Sequence, residues 1–176
     1  KKIQTIEPRE RNDAHRLIEE FMVAANVSAA QFLLKHQIPA LFRVHEMPAE
    51  EKLSGLREFL GELGLSLGGG SEPQPGHYAS LLNNARKRPD AHLLQTVMLR
   101  SLKQAVYSPD NEGHFGLSLE AYAHFTSPIR RYPDLQVHRA IRHIVSGKKK
   151  SSWKSSHEEM VKLGEHCSMA SRRADE

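Results

Sequence analysis

Between His124 and Asp134 the chain reads His-Phe-Thr-Ser-Pro-Ile-Arg-Arg-Tyr-Pro-Asp. A hydroxyl, two adjacent arginines, an aromatic ring and a carboxylate fall within about three helical turns. Ser127 followed by Pro128 has the form of a helix start, with Ser at the N-cap and Pro at the first helical position. A helix start leaves backbone N–H groups unpaired and partially positive, which suits an anion. Arg130 and Arg131 add guanidinium forks that match phosphate oxygens two at a time. The chemistry this implies is the gripping of a phosphodiester. Neighbouring helical residues point about 100° apart, so one arginine is expected to reach the phosphate and the other to brace a carboxylate such as Asp134. The competing reading is an ordinary solvated helix face.

The other candidates read more blandly. His114 and His124 fall on the polar side of an alternating run, where a histidine is usually a hydrogen-bonded structural residue. Glu20 sits on the shoulder of a helical apolar face and Glu19 further towards solvent. A shoulder carboxylate suits a ribose 2′-OH, but on spacing alone solubility is the better reading. His138 and His143 are spaced wrongly for one metal. Trp153 suits either stacking on a base or docking on an apolar patch. The aspartates Asp13, Asp90, Asp110, Asp134 and Asp175 are scattered, with no clustered carboxylates of the kind two-metal phosphodiester hydrolysis needs. No metal site is expected within the chain.

The elements that must position these residues follow from periodicity. Residues 13–36 form the clearest helix, with Leu17, Ile18, Phe21, Ala25, Phe32 and Leu33 at helical spacing, Asn12 or Asp13 as cap, and Pro39 beyond its end. Residues 40–45 read as a strand and 49–63 as a helix burying Leu53, Leu56, Leu60 and Leu63. A flexible loop is expected at 68–76, then helices over 77–87 and 90–107. Residues 114–126 alternate with a period of two. As a strand they place His114, Tyr122, His124 and Thr126 on one polar wall that leads into the arginines. A helix from Ser127 to about Val145 buries Val137, Ile141 and Ile144, with a kink near Tyr132 because Pro133 lies deep in it. A mobile basic loop over 146–156 and a last helix over 157–173 complete the chain.

At 176 residues the chain suffices for one buried domain or a large piece of one. Net charge is +4 and hydrophobic residues make up 39%, which fits a folded, mildly basic chain suited to nucleic acid. One cysteine, Cys167, excludes an internal disulfide and fits a reducing compartment. No apolar run is expected to reach a membrane span, and the residues after Lys1-Lys2 do not form the apolar core of a signal peptide. No membrane partner is expected. The chain opens without Met and its last helix lacks a C-cap signal, so a piece of a longer protein is expected.

The stretch His124–Leu135 resembles the signature of the RNB catalytic domain of the ribonuclease II and ribonuclease R exoribonucleases, most closely the bacterial ribonuclease R type. Gly113-His114-Phe115-Gly116-Leu117, Ile18–Asn26, His166-Cys167-Ser168-Met169 and Arg172-Arg173-Ala174 match in order. One departure is Ser171, where the family pattern has Glu. The resemblance covers essentially the whole chain. It implies an α+β fold: a predominantly helical piece of the RNB domain, its C-terminal portion over residues 1–176, with a few short strands. It implies part of a processive, Mg²⁺-dependent 3′-to-5′ hydrolytic exoribonuclease that releases nucleoside 5′-monophosphates in the cytoplasm. The catalytic aspartates, and with them the main Mg²⁺ ligands, are then expected upstream of this segment. The partners implied are the 3′ end of single-stranded RNA, the rest of the RNB domain and flanking OB-fold domains.

By residue, the resemblance implies that Arg130 contacts the phosphate near the scissile bond as the catalytic residue. Glu20, with Glu19 as fallback, meets the 3′-terminal ribose. Ser127, Arg131 and Tyr132 shape the floor of the site, and His124 joins this RNA-binding set. The alternative is a catalytically incomplete RNA-binding fragment.

Overall fold

The computed structural model describes residues 5–8 and 10–175; Lys1 to Gln4 lie outside the described residues. It is a helical α+β structure with a two-stranded sheet. The first helix, α1 (Asp13–His36), opens with Asn12, whose side chain accepts from the His15 N–H, and ends at Gln37 in the left-handed conformation. Its two halves differ. The second half buries Asn26, Ala29, Ala30 and Leu33. In the first half Leu17, Ile18 and Phe21 are 54%, 57% and 61% exposed, so the expected apolar stripe is only half used. By length and composition alone α1 is also apolar enough to cross a membrane, contrary to the expectation that no such run exists.

Strand β1 (Phe42–Val44) pairs antiparallel with β2 (Val106–Ser108), Arg43 opposite Tyr107. The two-residue strand period sends Phe42 and Val44 into a core with Leu33, Ala123, Val137 and Ala140. Between the strands lie α2 (Glu50–Glu62), α3 (Pro75–Ala85) and α4 (Ala91–Ser101), which share a second core centred on Leu56, Leu60, Tyr78 and Leu94. Pro75 opens α3 rather than closing the loop before it. The expected helix over 90–107 ends at Ser101, and its last residues form β2 instead. Leu102 is extended, and the β-branched Val106 and aromatic Tyr107 suit the pairing with β1.

Residues 114–126 are not a strand. Gly113 and Ser118 have positive φ (74° and 56°) and flank a 3₁₀ turn at Phe115–Leu117. Alternation survives over 121–125, where Ala121 and Ala123 enter the core and the Tyr122 carbonyl accepts from the Arg43 N–H at 2.8 Å. The next helix, α5, spans Tyr132–Val145, five residues later than Ser127-Pro128 suggests. The expected kink is absent because Pro133 lies in the first turn, where its missing N–H is harmless. The last helix, α6 (His157–Asp175), packs on β2. Gly164 makes this approach possible: a Cβ there would lie 2.6 Å from the Tyr107 carbonyl oxygen.

The segment before α6 makes defined contacts. A 3₁₀ turn forms at Lys150–Ser152, and the Trp153 indole N–H donates to the Pro39 carbonyl at 3.1 Å. Trp153 also packs edge-on against His143, which is the docking reading of that residue.

Candidate functional site

The arginine corner is built around Asp134, in the first turn of α5 and fully buried. Its Oδ1 accepts from the Ser127 N–H and from Arg131 Nη2, both at 2.8 Å. The Ser127 carbonyl accepts in turn from the Arg130 and Arg131 N–H groups, at 3.3 and 3.0 Å. Residues 127–131 thus close into one short turn latched to the helix by a carboxylate. Of the N–H groups that a helix start at Ser127 would leave for an anion, those of Arg130 and Arg131 go to the Ser127 carbonyl, and that of Ser127 goes to Asp134.

The latch separates the two arginines. Arg131 is drawn inward to Asp134. Arg130 stays exposed and lines a groove of about 730 Å³ that also holds Tyr107, Arg131 and Tyr132, with His166, Cys167 and Ser171 of α6 opposite. Tyr132 is 46% exposed, and its hydroxyl accepts from Gln136 Nε2 at 2.6 Å. Among the described residues, buried Asp134 Oδ2 and Arg131 Nε meet no hydrogen-bond partner.

A ladder of rings runs behind the corner. His45, His114, Tyr122, His124 and Tyr107 follow one another edge to face, with successive centroids 5.0, 5.3, 5.7 and 5.5 Å apart. His124 Nδ1 shares a hydrogen bond with the Tyr107 hydroxyl at 2.8 Å. Burial, with Arg131 and Arg43 nearby, pushes the His124 pKa down to about 4. Burial, His45 and Arg43 do the same for His114, also to about 4. Both rings are therefore neutral at pH 7. His124 has no cationic charge to offer a phosphate; it positions Tyr107 at the groove. The guanidinium of Arg43 lies 4.7 Å above the Tyr107 ring and holds its other face.

Asn26 ties α1 to this assembly. It is buried, donates to the Tyr122 hydroxyl at 2.9 Å, and accepts from the Phe125 and Thr126 N–H groups at 2.9 and 3.3 Å. Sequence reasoning missed its role, although it closes the Ile18–Asn26 motif; the available signal was an amide on an otherwise apolar face. It also missed Arg43 and Tyr107, since Tyr107 was assigned to a helix.

Glu20 is exposed on the first half of α1 and does not line the Arg130 groove. Glu19 is engaged by Arg11. Among the described residues no group of three or more Asp, Glu, His or Cys side chains is placed to hold a metal ion.

The RNB domain family matches residues 1–147. Ribonuclease R of Escherichia coli (strain K12) is 54% identical over 184 residues, covering 100% of this chain and 23% of that protein. The solved apo form of Mycoplasma genitalium RNase R superposes with a TM-score of 0.84 at 30% identity, over 93% of this chain and 26% of that one. The same protein in complex with ribose methylated single-stranded RNA gives 0.82 at 30% identity, with the same coverage. The chain thus spans about a quarter of the length of the curated relatives it matches. The family match over most of the chain, the identity to ribonuclease R and the shared fold agree, and the chain belongs to the RNB domain family.

Proposed function

We propose that this chain supplies one wall of a hydrolytic exoribonuclease site that consumes single-stranded RNA from its 3′ end and releases nucleoside 5′-monophosphates. The observation that carries this is the division between the arginines: Asp134 fixes Arg131, so Arg130 projects from a rigid turn into an open groove. A guanidinium held this way suits the charge that develops on a phosphodiester as it is displaced. Solved complexes of a relative with single-stranded and with double-stranded RNA support RNA as the ligand.

In this reading Arg130 contacts the scissile phosphate, Tyr132 and Ser127 border it, and Glu20 meets the terminal ribose of a strand reaching across from α1. His124 contributes through Tyr107 rather than through its own charge. Mg²⁺ belongs to the same proposal, with its ligands supplied mainly by the rest of the protein, and no step is routed through it. The rest of the RNB domain, flanking OB-fold domains and a cytoplasmic setting complete the proposal.

The test uses the intact protein that carries this chain, with a 5′-labelled single-stranded RNA and Mg²⁺. Mononucleotides shed from the 3′ end are expected, and Glu20→Gln should narrow the preference for RNA over a strand ending in deoxyribose. Internal cleavage, or phosphorolysis giving nucleoside diphosphates, would refute it. The alternative for the isolated chain is an RNA-binding fragment that cleaves nothing. Incubating the isolated chain with the same substrate separates the two.

A further inference from the structure

The exposed side of α5 and the segment that follows it enclose a second cleft, of about 830 Å³. Arg139 and Arg142 stand on its helical wall, and Lys148 and Lys154 on the other. No carboxylate among the described residues lines it. Among the described residues none of these four cations takes part in an ion pair, although salt bridges occur elsewhere on the chain. Like charges gathered without a counter-charge repel one another and raise the local potential, which draws a polyanion.

The cleft is formed in advance. Trp153 anchors the segment to Pro39, His143 Nε2 lies 3.1 Å from the Lys149 carbonyl, and Ser152 Oγ donates to that carbonyl at 2.7 Å. Trp153, His143 and Ser152 thus engage the backbone, while Arg142, Lys148 and Lys154 remain available to a ligand. Pre-ordering of this kind lowers what a ligand must give up in entropy.

The cleft also continues the Arg130 corner. Gln136 Nε2 and Arg139 Nη1 both donate to the Tyr132 hydroxyl, at 2.6 and 3.4 Å, so one donor row starts beside Arg130 and follows α5. From Tyr132 to Ser146 that row is about 21 Å long at the helical rise. A row of forked and point cations on this scale fits a chain of regularly spaced phosphates better than a single acidic side chain.

We propose that this cleft is a second site for the RNA backbone, holding phosphates upstream of the nucleotide at Arg130. The proposal rests on the exoribonuclease reading for the placement of the 3′ end. It assigns Arg142, Lys148 and Lys154 to strand retention and not to chemistry.

The experiment measures binding of 5′-labelled RNA by fluorescence anisotropy over a salt series, with the intact protein in EDTA to suppress turnover. Strands of about 20 and about 2 nucleotides are compared, the shorter unable to span a row about 21 Å long even when extended. The triple variant Arg142→Gln, Lys148→Gln, Lys154→Gln should lose about tenfold affinity for the longer strand, and its log–log salt slope should shrink by about 2. Its affinity for the shorter strand should be unchanged, which also shows the variant is folded. The charge-keeping variant Arg142→Lys, Lys148→Arg, Lys154→Arg should bind like the parent. An unchanged affinity and slope for the longer strand, with the shorter still bound, overturns the cleft alone. Failure of the unaltered protein to bind either strand overturns the exoribonuclease reading as well. Tight binding of a polyglutamate peptide that the triple variant loses, while RNA binding is untouched, overturns the proposal in favour of an acidic protein segment.

Discussion

Asp134 and Arg131 form an ion pair at 2.8 Å in which the carboxylate is fully buried and the guanidinium side chain is 21% exposed. The same Oδ1 also holds the Ser127 N–H, so one oxygen fixes both ends of the arginine turn. Removing the partner of a buried charge is far more destabilising than the pair is stabilising. Asp134→Ala should therefore cost about 3–5 kcal/mol in chemical denaturation, and Asp134→Asn about half of that because it still accepts from Ser127. Loss of less than about 1 kcal/mol in both variants would show that the turn holds itself.

Asn26 provides three hydrogen bonds to a segment about a hundred residues away. Asn26→Ala leaves two main-chain donors and a tyrosine hydroxyl without partners, at a cost of about 3 kcal/mol. Hydrogen exchange should quicken at the Phe125 and Thr126 amides before it does elsewhere. Retained protection there would contradict this role.

Two glycines give opposite outcomes for one substitution. At Gly164 an added methyl meets the Tyr107 backbone at 2.6 Å, so Gly164→Ala should push α6 off β2 and cost about 1–3 kcal/mol. At Gly55, in α2, the position is open, and Gly55→Ala should add up to about 1 kcal/mol through helix propensity. Melting temperatures that move the same way for both would undo the argument.

Stability should depend on pH through His114 and His124. Their folded pKa values lie at about 4, below the ordinary 6.5. Between those values the unfolded chain binds protons that the folded chain refuses, so stability rises with pH across that window. The contribution is complete above about pH 6.5 and is lost as the pH falls towards 4. Scanning calorimetry should give a level melting temperature from pH 8 to 7 and a fall of several degrees by pH 5. A level trace down to pH 5 would place both rings in solvent.

Local signals made much of this fold legible. The Asn12 cap and helical spacing defined α1, and Leu53, Leu56 and Leu60 defined α2. Where the reading failed, a distant partner decided the outcome. Ser127-Pro128 carries a genuine start signal, but Asp134 captures the Ser127 N–H and delays the helix to Tyr132. The alternation over 114–126 is real in composition, yet Gly113 and Ser118 turn the chain back on itself. Asn26, Arg43 and Tyr107 act only through the β1–β2 pairing and contacts across the chain, which no local window contains.

The central claim is that the Asp134 latch presents Arg130 to a phosphodiester in the groove. The most direct measurement is single-turnover cleavage and equilibrium RNA binding for Arg130→Ala in the intact protein. The account predicts a fall in the cleavage rate of about 100-fold or more, with the dissociation constant within about twofold of the parent. An unchanged cleavage rate, or a loss of rate matched by an equal loss of affinity, would contradict it.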